Sequence, residues 1–310
     1  MNIGIEFNPQ YVAVARYPAT KLYNRALLYR YPLFDNNEWV SNSVFIKDSN
    51  VFIGNDALKK SLDYSGKGNL YTDYLMLLEG NESSKKYHDC HEVEFSPSDI
   101  ASLFLEKVLR MVRDVEDYNF VPDSIHITIP TNCKPIYKET LLRCLEKANL
   151  NVFGVENCIS SVDEAIALCL DHYVIHGFPE ANSQKIIICE TVFSRYNVYL
   201  IEYNITKGSA FPTFEIINMK SSSSELGEEM STNTTLKNVG LVVQCMEEVN
   251  VTGLDIQSFI LYGDCVWNKS FRKMLGAIGG KYVYNLDEAG PKARGAAYCG
   301  VYYGHSSIII

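Results

Sequence analysis

The sequence predicts an α/β protein made of two copies of one domain, and three observations carry that reading. Residues 185–203, KIIICETVFSRYNVYLIEY, read as a buried apolar strand, a carboxylate at Glu190, a polar break to Arg195 and a second strand, Asn197–Tyr203. Residues 2–17, NIGIEFNPQYVAVARY, repeat that design, with Glu6 closing the first strand and Asn8-Pro9-Gln10 as the turn. After each copy come a further strand and then helices alternating with strands, the order of an α/β unit with crossovers. The two turns are expected to face one cleft.

The elements follow in order. Strands are expected over Ile3–Phe7, Tyr11–Tyr17 and Leu27–Pro32, then a hairpin of Trp39–Ile46 with Asn50–Ile53 and a helix over Asn55–Leu62. Between Tyr64 and His91 the pattern weakens, and a loop with a helical insert at Leu70–Leu78 is expected. Ser96-Pro97-Ser98-Asp99 is a helix start: a hydroxyl to cap, a proline where no amide bond is lost, and an acid in the first turn. Apolar residues from Ile100 to Val115 then recur at helical spacing. A strand over Ser124–Ile129, a helix over Pro135–Ala148 and a short strand at Val152–Val155 follow. Ser161 with Glu164 forms a capping box for a helix over Val162–Val174. Beyond Tyr203 the reading gives a turn at Thr206-Lys207-Gly208, a strand at Thr213–Met219 and a polar loop at Ser221–Ser224. A helix at Leu236–Val249, a strand at Ser258–Leu261, a helix at Lys269–Ile278 and a strand at Tyr282–Tyr284 come next. Pro291–Tyr298 is a helix of small residues suited to close packing.

Totals narrow the function. A chain of 310 residues with 47 % apolar and 21 % charged residues can bury large cores. A formal charge of −9 with no basic stripe argues against nucleic acid as a partner. No targeting sequence and no apolar run long enough to span a bilayer is present, so a cytoplasmic protein without an integral membrane segment is expected. Nine scattered cysteines read as reduced, buried small hydrophobes, and 21 tyrosines suit a core edge or an interaction surface equally.

An ordered set of motifs resembles the ATPase domain of the Hsp70 chaperones, within the actin/hexokinase/Hsp70 superfamily. Gly4-Ile5-Glu6 resembles that family's Gly-Ile-Asp before the first phosphate loop, and Ser43-Val44 with Phe52-Ile53-Gly54-Asn55-Asp56-Ala57 resembles its first hairpin. Val121–Pro130 resembles its Val-x-x-Ala-Val-Ile-Thr-Val-Pro, and Ala148–Val152 its Ala-Gly-Leu-x-Val. Asp163–Ala167 sits where the first connecting helix belongs, Glu190–Val198 at the second phosphate loop, Tyr262-Gly263-Asp264 at the adenosine loop, and Asp287–Ala289 with Arg294–Ala297 at the second connecting helix. The resemblance is colinear over nearly the whole chain. It implies duplicated ribonuclease-H-like lobes of the actin/Hsp70 fold with reduced peripheral subdomains: an N-terminal lobe over 1–175, with a small insertion about 35–95, and a C-terminal lobe over 176–310. The adenine-covering subdomain is largely absent, since only about forty residues separate Thr213–Met219 from Ser258–Leu261. No substrate-binding domain is expected to follow.

The family clamps magnesium and ATP between its lobes, using glycine-rich loops whose amides converge on phosphate. In the first loop the resemblance places Asn8, Pro9 and Gln10 where the family has glycine and hydroxyls. In the second, Val192, Phe193 and Ser194 replace three glycines, Arg195 follows, and Asn197 replaces the aspartate that helps hold hydrated magnesium. Ser160-Ser161 stands where a Glu-Pro opens the first connecting helix, and the adenosine loop keeps Gly263 but carries Asp264-Cys265-Val266. Two readings of Glu6 and Glu190 stay open: a residual polar floor, paired with Arg195, or a surviving magnesium ligand.

The expected function is therefore a catalytically inactive pseudo-ATPase acting as a protein-interaction or assembly module, with a protein partner or self-association and no cofactor or metal. The alternative is a divergent ATPase that binds ATP or ADP with magnesium through Asn8, Gln10, Ser194, Arg195, Gly263 and Asp264, with Glu6, Glu190 and Asn197 as its catalytic set. A sugar or small-metabolite kinase is a third reading, weakened by the same loops. Elsewhere, His88-Asp89-Cys90-His91 has metal-type residues but no second ligand pair and reads as a polar loop. His172 and His176 lack the glutamate of a zinc helix and suit a helix C-terminus, while Cys133 and Cys265 have no base and acid to complete a nucleophilic set.

Overall fold

The computed structural model describes residues 1–18, 25–30, 37–48, 50–64, 68–78, 86–88, 93–156, 158–177, 183–192, 195–205, 212–223, 232–279, 282–286 and 290–302. Its contacts divide into two units, Met1–His176 with Ala289–Ile309, and Gly177–Glu288. The final helix, assigned above to a C-terminal lobe, therefore belongs with the first unit.

The first unit contains β1 (Asn2–Phe7), β2 (Tyr11–Tyr17), β3 (Leu27–Leu28), β4 (Trp39–Ser41), β5 (Val44–Lys47), β6 (Asn50–Ile53), α1 (Gly54–Asp63), β7 (Asn69–Tyr71), α2 (Tyr74–Leu77), β8 (Tyr87–His88) and β9 (Glu94–Phe95). It continues with α3 (Pro97–Glu116), β10 (Ser124–Ile129), α4 (Pro135–Phe153), β11 (Cys158–Asp163) and α5 (Glu164–His176). The main sheet runs β11-β10-β1-β2-β3, with β4 also on β2. Strands β1, β10 and β11 are parallel, and β2 is antiparallel to β1.

The second unit contains β12 (Ser183–Val192), β13 (Arg195–Asn204), β14 (Thr213–Ser223), α6 (Thr232–Glu247), β15 (Ile256–Gly263), α7 (Lys269–Ile278) and β16 (Tyr282–Leu286), after which the chain returns as α8 (Pro291–Tyr302). Its sheet runs β14-β13-β12-β15-β16, with β12, β15 and β16 parallel and β13 antiparallel to both neighbours. Strand order and sense thus repeat from one unit to the other, third-second-first-fourth-fifth. Helices repeat as well, α3, α4 and α5 answering α6, α7 and α8.

Alternation along the strands explains how the first sheet is covered. Register aligns Ile3 with Ile125 and Ile5 with Ile127, and these isoleucines join Phe104, Leu105, Leu141 and Leu145 of α3 and α4 in one core. On the opposite face lie Gly4, His126 and Ser160, in register across three strands. Helix α8 takes this face: a Cβ on Gly4 would stand 2.1 Å from the Ala293 carbonyl oxygen and 2.2 Å from the Ala297 nitrogen. Helix α5 meets α8 as closely, since a Cβ on Gly295 would stand 1.9 Å from the Ala167 carbonyl oxygen. Two buried ion pairs join these helices, Lys292–Glu164 at 2.7 Å and a bidentate Arg294–Asp171 at 2.7 and 2.8 Å. A buried polar chain completes the face: Ser124 Oγ donates to Asn2 Oδ1 at 2.8 Å, and the two nitrogens of His126 bond Ser124 at 2.8 Å and Ser160 at 2.6 Å.

Most expected elements sit where the pattern placed them, with corrections: the strand expected over Leu27–Pro32 is strand only at Leu27–Leu28 among the described residues. The helix from Pro135 runs to Phe153 and ends at Gly154 with φ +69°, so the expected strand at Val152–Val155 is helix and turn. The next strand is β11, which absorbs Ser161, and α5 starts at Glu164 instead of Val162. The insert at 70–78 is helical only over the short α2, Tyr74–Leu77, because Leu70 and Tyr71 belong to strand β7. Strand β14 continues through Ser221, Ser222 and Ser223, which were expected in a loop. The turn at 206–208 lies outside the described residues, as do Asp287, Glu288 and Ala289. Two glycine substitutions separate close packing from backbone conformation. Gly4→Val forces backbone apart and is expected to cost about 3 kcal/mol or more, whereas Gly154→Ala, with open space around it, costs about 1 kcal/mol; urea unfolding measures both.

Candidate functional site

Ligands of open α/β sheets gather at the carboxyl ends of the parallel strands, and the expected site residues lie there in each unit. In the first unit β1 ends at Phe7 and the chain turns through Asn8, Pro9 and Gln10 into β2. The Asn8 N–H donates to the Tyr11 carbonyl at 3.0 Å, and the Gln10 and Tyr11 N–H groups both donate to Asn8 Oδ1 at 3.0 Å. Pro9 has no N–H. Every backbone donor of this turn is therefore engaged inside the turn, because asparagine's side chain mimics the backbone acceptor two residues ahead. Asn42 clamps the turn from β4's end, donating its N–H to the Gln10 carbonyl at 2.8 Å and Nδ2 to the Asn8 carbonyl at 3.2 Å. Beneath it Glu6 is buried and accepts the Tyr11 hydroxyl at 2.8 Å.

In the second unit the expected polar break after Glu190 is absent. Strand β12 continues to Val192, which pairs with Arg195 at the start of β13, so only residues 193–194 connect them. Ser194, with Phe193, lies outside the described residues. Glu190 is buried, and its Oε2 accepts Asn197 Nδ2 at 3.2 Å and the Tyr199 hydroxyl at 2.9 Å. Asn197, expected where a magnesium aspartate would stand, instead serves the glutamate directly opposite it in register. Arg195, the partner considered for Glu6 and Glu190, is exposed at the strand's start. The two units thus share one arrangement: a buried glutamate near the end of the first strand, bonded by a tyrosine hydroxyl from the second. Neither tyrosine stood out in the sequence. Register places Ala13 opposite Glu6 and Asn197 opposite Glu190, so each tyrosine reaches across the diagonal, two residues away on the same face.

Gly263 closes β15 at φ +78°, where a Cβ would stand 1.9 Å from the Thr191 carbonyl oxygen. The neighbouring strand alone accounts for this glycine. Asp264 is exposed at the head of a 3-10 turn, Asp264–Trp267. Cys265 is buried, bonds the carbonyls of Cys189 at 3.3 Å and Tyr262 at 3.2 Å, and burial pushes its thiol up to about 11. It is a packing residue, not a nucleophile.

Asp163, the first residue of the connecting-helix motif, sits at the β11–α5 junction. Asp163 Oδ1 accepts the Ala165 N–H at 2.8 Å and the Thr131 hydroxyl at 2.7 Å, so Asp163 caps α5 in place of Ser161. Burial pushes its carboxyl up to about 6 against those bonds, with Glu164 adding to the rise. The local capping box outweighed this residue in the sequence; only the pairing of Ser161 with Ile127 in the sheet releases Asp163 to cap.

The remaining candidates are structural. The His88 carbonyl accepts Asn69 and, at 2.9 Å, the Tyr71 hydroxyl, while Cys90 and His91 lie outside the described residues. Burial, with His176 beside it, pushes His172 down to about 3, so it is neutral at physiological pH, and His176 lies in the last turn of α5. Among the described residues no group of three or more His, Cys, Asp and Glu could hold a metal ion, and no helix is long and apolar enough to cross a membrane. No protein-family model matches the chain, and no curated protein matches it.

Asp163 gives the site a pH signature. Its carboxyl titrates at about 6 folded against an ordinary 3.8, so between those values the folded state holds more protons than the unfolded, and stability falls as pH rises. At about 1.4 kcal/mol per pH unit the penalty reaches about 3 kcal/mol above the window. Asp163→Asn keeps a capping oxygen and removes the titration. Its stability relative to the parent chain is expected to rise by about 2 kcal/mol between about pH 4 and about pH 6.5, measured by urea unfolding; a constant difference rejects the assignment.

Proposed function

We propose that the chain is a pseudo-ATPase of the actin/Hsp70 type, two ribonuclease-H-like lobes kept as a scaffold for protein interaction or assembly. The repeated strand order and sense of the two sheets support the duplicated fold. The observation that carries the functional reading is the β1–β2 turn, whose N–H groups are spent on Asn8 and Tyr11. Polyphosphate binding of this kind needs a ring of amides directed at the ligand, and rebuilding one here would break the bonds that shape the turn. A divergent ATPase would draw on Glu6 and Glu190, but both are buried and hydrogen-bonded within their own sheets, and magnesium demands near-octahedral oxygen ligands with retained water. An interaction role has exposed apolar side chains to use: Leu62 and Met76 on the first unit, Leu254 and Trp267 on the second.

Thermal unfolding with Mg-ATP and with Mg-ADP tests this. Ligand at a hundred times its dissociation constant stabilises by about 2.7 kcal/mol, an easily read rise in melting temperature. No rise is expected with either nucleotide, and a dose-dependent rise overturns the proposal. Light scattering then separates self-assembly, at multiples of 35.1 kDa, from a single chain awaiting a different partner.

A further inference from the structure

We propose that the cavity beside the β1–β2 turn is a binding site for an uncharged, polyhydroxylated ring of monosaccharide size. The cavity lies wholly in the first unit and has a volume of about 620 Å³, within the roughly 300–1,000 Å³ of small-molecule sites. Its working side chains are Gln10, Tyr11, Trp39, Ser41, Ser43 and Thr72, and none of its described lining residues carries a charge.

Three features set the ligand class. First, a phosphate, carboxylate or ammonium group would enter without a counter-charge from the lining and would meet no backbone donor at the turn, so charged ligands lose more hydration than they regain. Second, Trp39 is 43 % exposed and meets Tyr11 at 6.2 Å between ring centroids and 56° between planes. That is a corner, not a parallel slot, so it suits the C–H face of a puckered ring better than a flat heterocycle sandwiched between two faces. The Tyr11 hydroxyl is committed to Glu6, which leaves its ring for apolar contact. Third, the polar lining consists of hydroxyls and one amide, groups that both donate and accept, as sugar hydroxyls do. Ser41 Oγ and Ser43 Oγ lie 3.1 Å apart and share one hydrogen, leaving the second hydroxyl hydrogen for a ligand.

The walls are set before any ligand arrives. Asn42 ties the turn to the β4 side through its bonds to Gln10 and Asn8, and its own Oδ1 accepts the buried Tyr74 hydroxyl. Such preorganisation removes ordering cost from binding. The site shares the Gln10 side chain with the first phosphate loop but calls on none of that loop's backbone N–H groups, so it does not rest on the pseudo-ATPase reading.

The chain has two tryptophans, so Trp267→Phe leaves Trp39 as the only indole reporter. This variant is titrated with D-glucose, D-galactose and D-ribose, and separately with adenosine and inorganic phosphate, following fluorescence. A saturable change with at least one sugar and none with adenosine or phosphate is expected. Adding Ser43→Ala should weaken that sugar about threefold to tenfold, the worth of one neutral hydrogen bond, with the melting temperature recorded as a folding control. Silence with all three sugars, saturation by adenosine or phosphate instead, or an unchanged affinity in a folded Ser43→Ala variant each overturns the proposal.

Discussion

The first unit depends on one helix lying backbone to backbone on its central strand. Helix α8 approaches β1 so closely that only glycine fits at position 4, and α5 approaches α8 so closely that only glycine fits at 295. At such distances dispersion contacts run along whole stretches of main chain, and side chains contribute by being absent. Buried charge then fixes the alignment. Glu164, Asp171, Lys292 and Arg294 would each carry a large desolvation cost alone, so the helices hold the one placement in which carboxylates meet cations. The alternation of β1 and β10, isoleucines toward α3 and α4 and small or polar residues toward α8, is the sequence counterpart of that placement.

Elements whose signals are local were legible. The cap before α3 is as read, Ser96 accepting the Asp99 N–H at 3.2 Å while Asp99 accepts from the Ser96 N–H at 3.1 Å. Elements decided by distant partners were not. Ser161 and Glu164 have capping-box spacing, yet pairing of β11 with β10 across more than thirty residues outweighed it and moved the helix start. Val152 is β-branched and suggested a strand, but its side chain is buried in the last turn of α4, where packing overrides propensity. Small residues from Pro291 onward announced close packing without saying against what, so the assignment of α8 to a unit was beyond sequence reasoning.

The candidate site divides along the same line. Pro9 and the missing glycines were visible as lost phosphate donors, whereas the use of the remaining N–H groups by Asn8 depends on a side-chain rotamer that no periodicity reports. The glutamates were visible, and their tyrosine partners were hidden by diagonal register. Cys265 was visible as a thiol, but its burial beneath β12 and β15 is a tertiary fact.

The seam between β1 and α8 also orders events during synthesis. Gly4 is made well before the helix that covers it, which comes only after the whole second unit has been made. At about 5–20 residues per second, that leaves the polar and glycine face of the first sheet without its covering helix for tens of seconds on the ribosome. On β1, β10 and β11 that face carries the hydrophilic Asn2, Ser124, His126 and Ser160, whereas the isoleucine face is covered by α3 and α4, which precede the second unit in the chain. The division of labour between the two faces is thus also a timetable: grease is hidden first, and the hydrogen-bonded side waits for the tail to arrive.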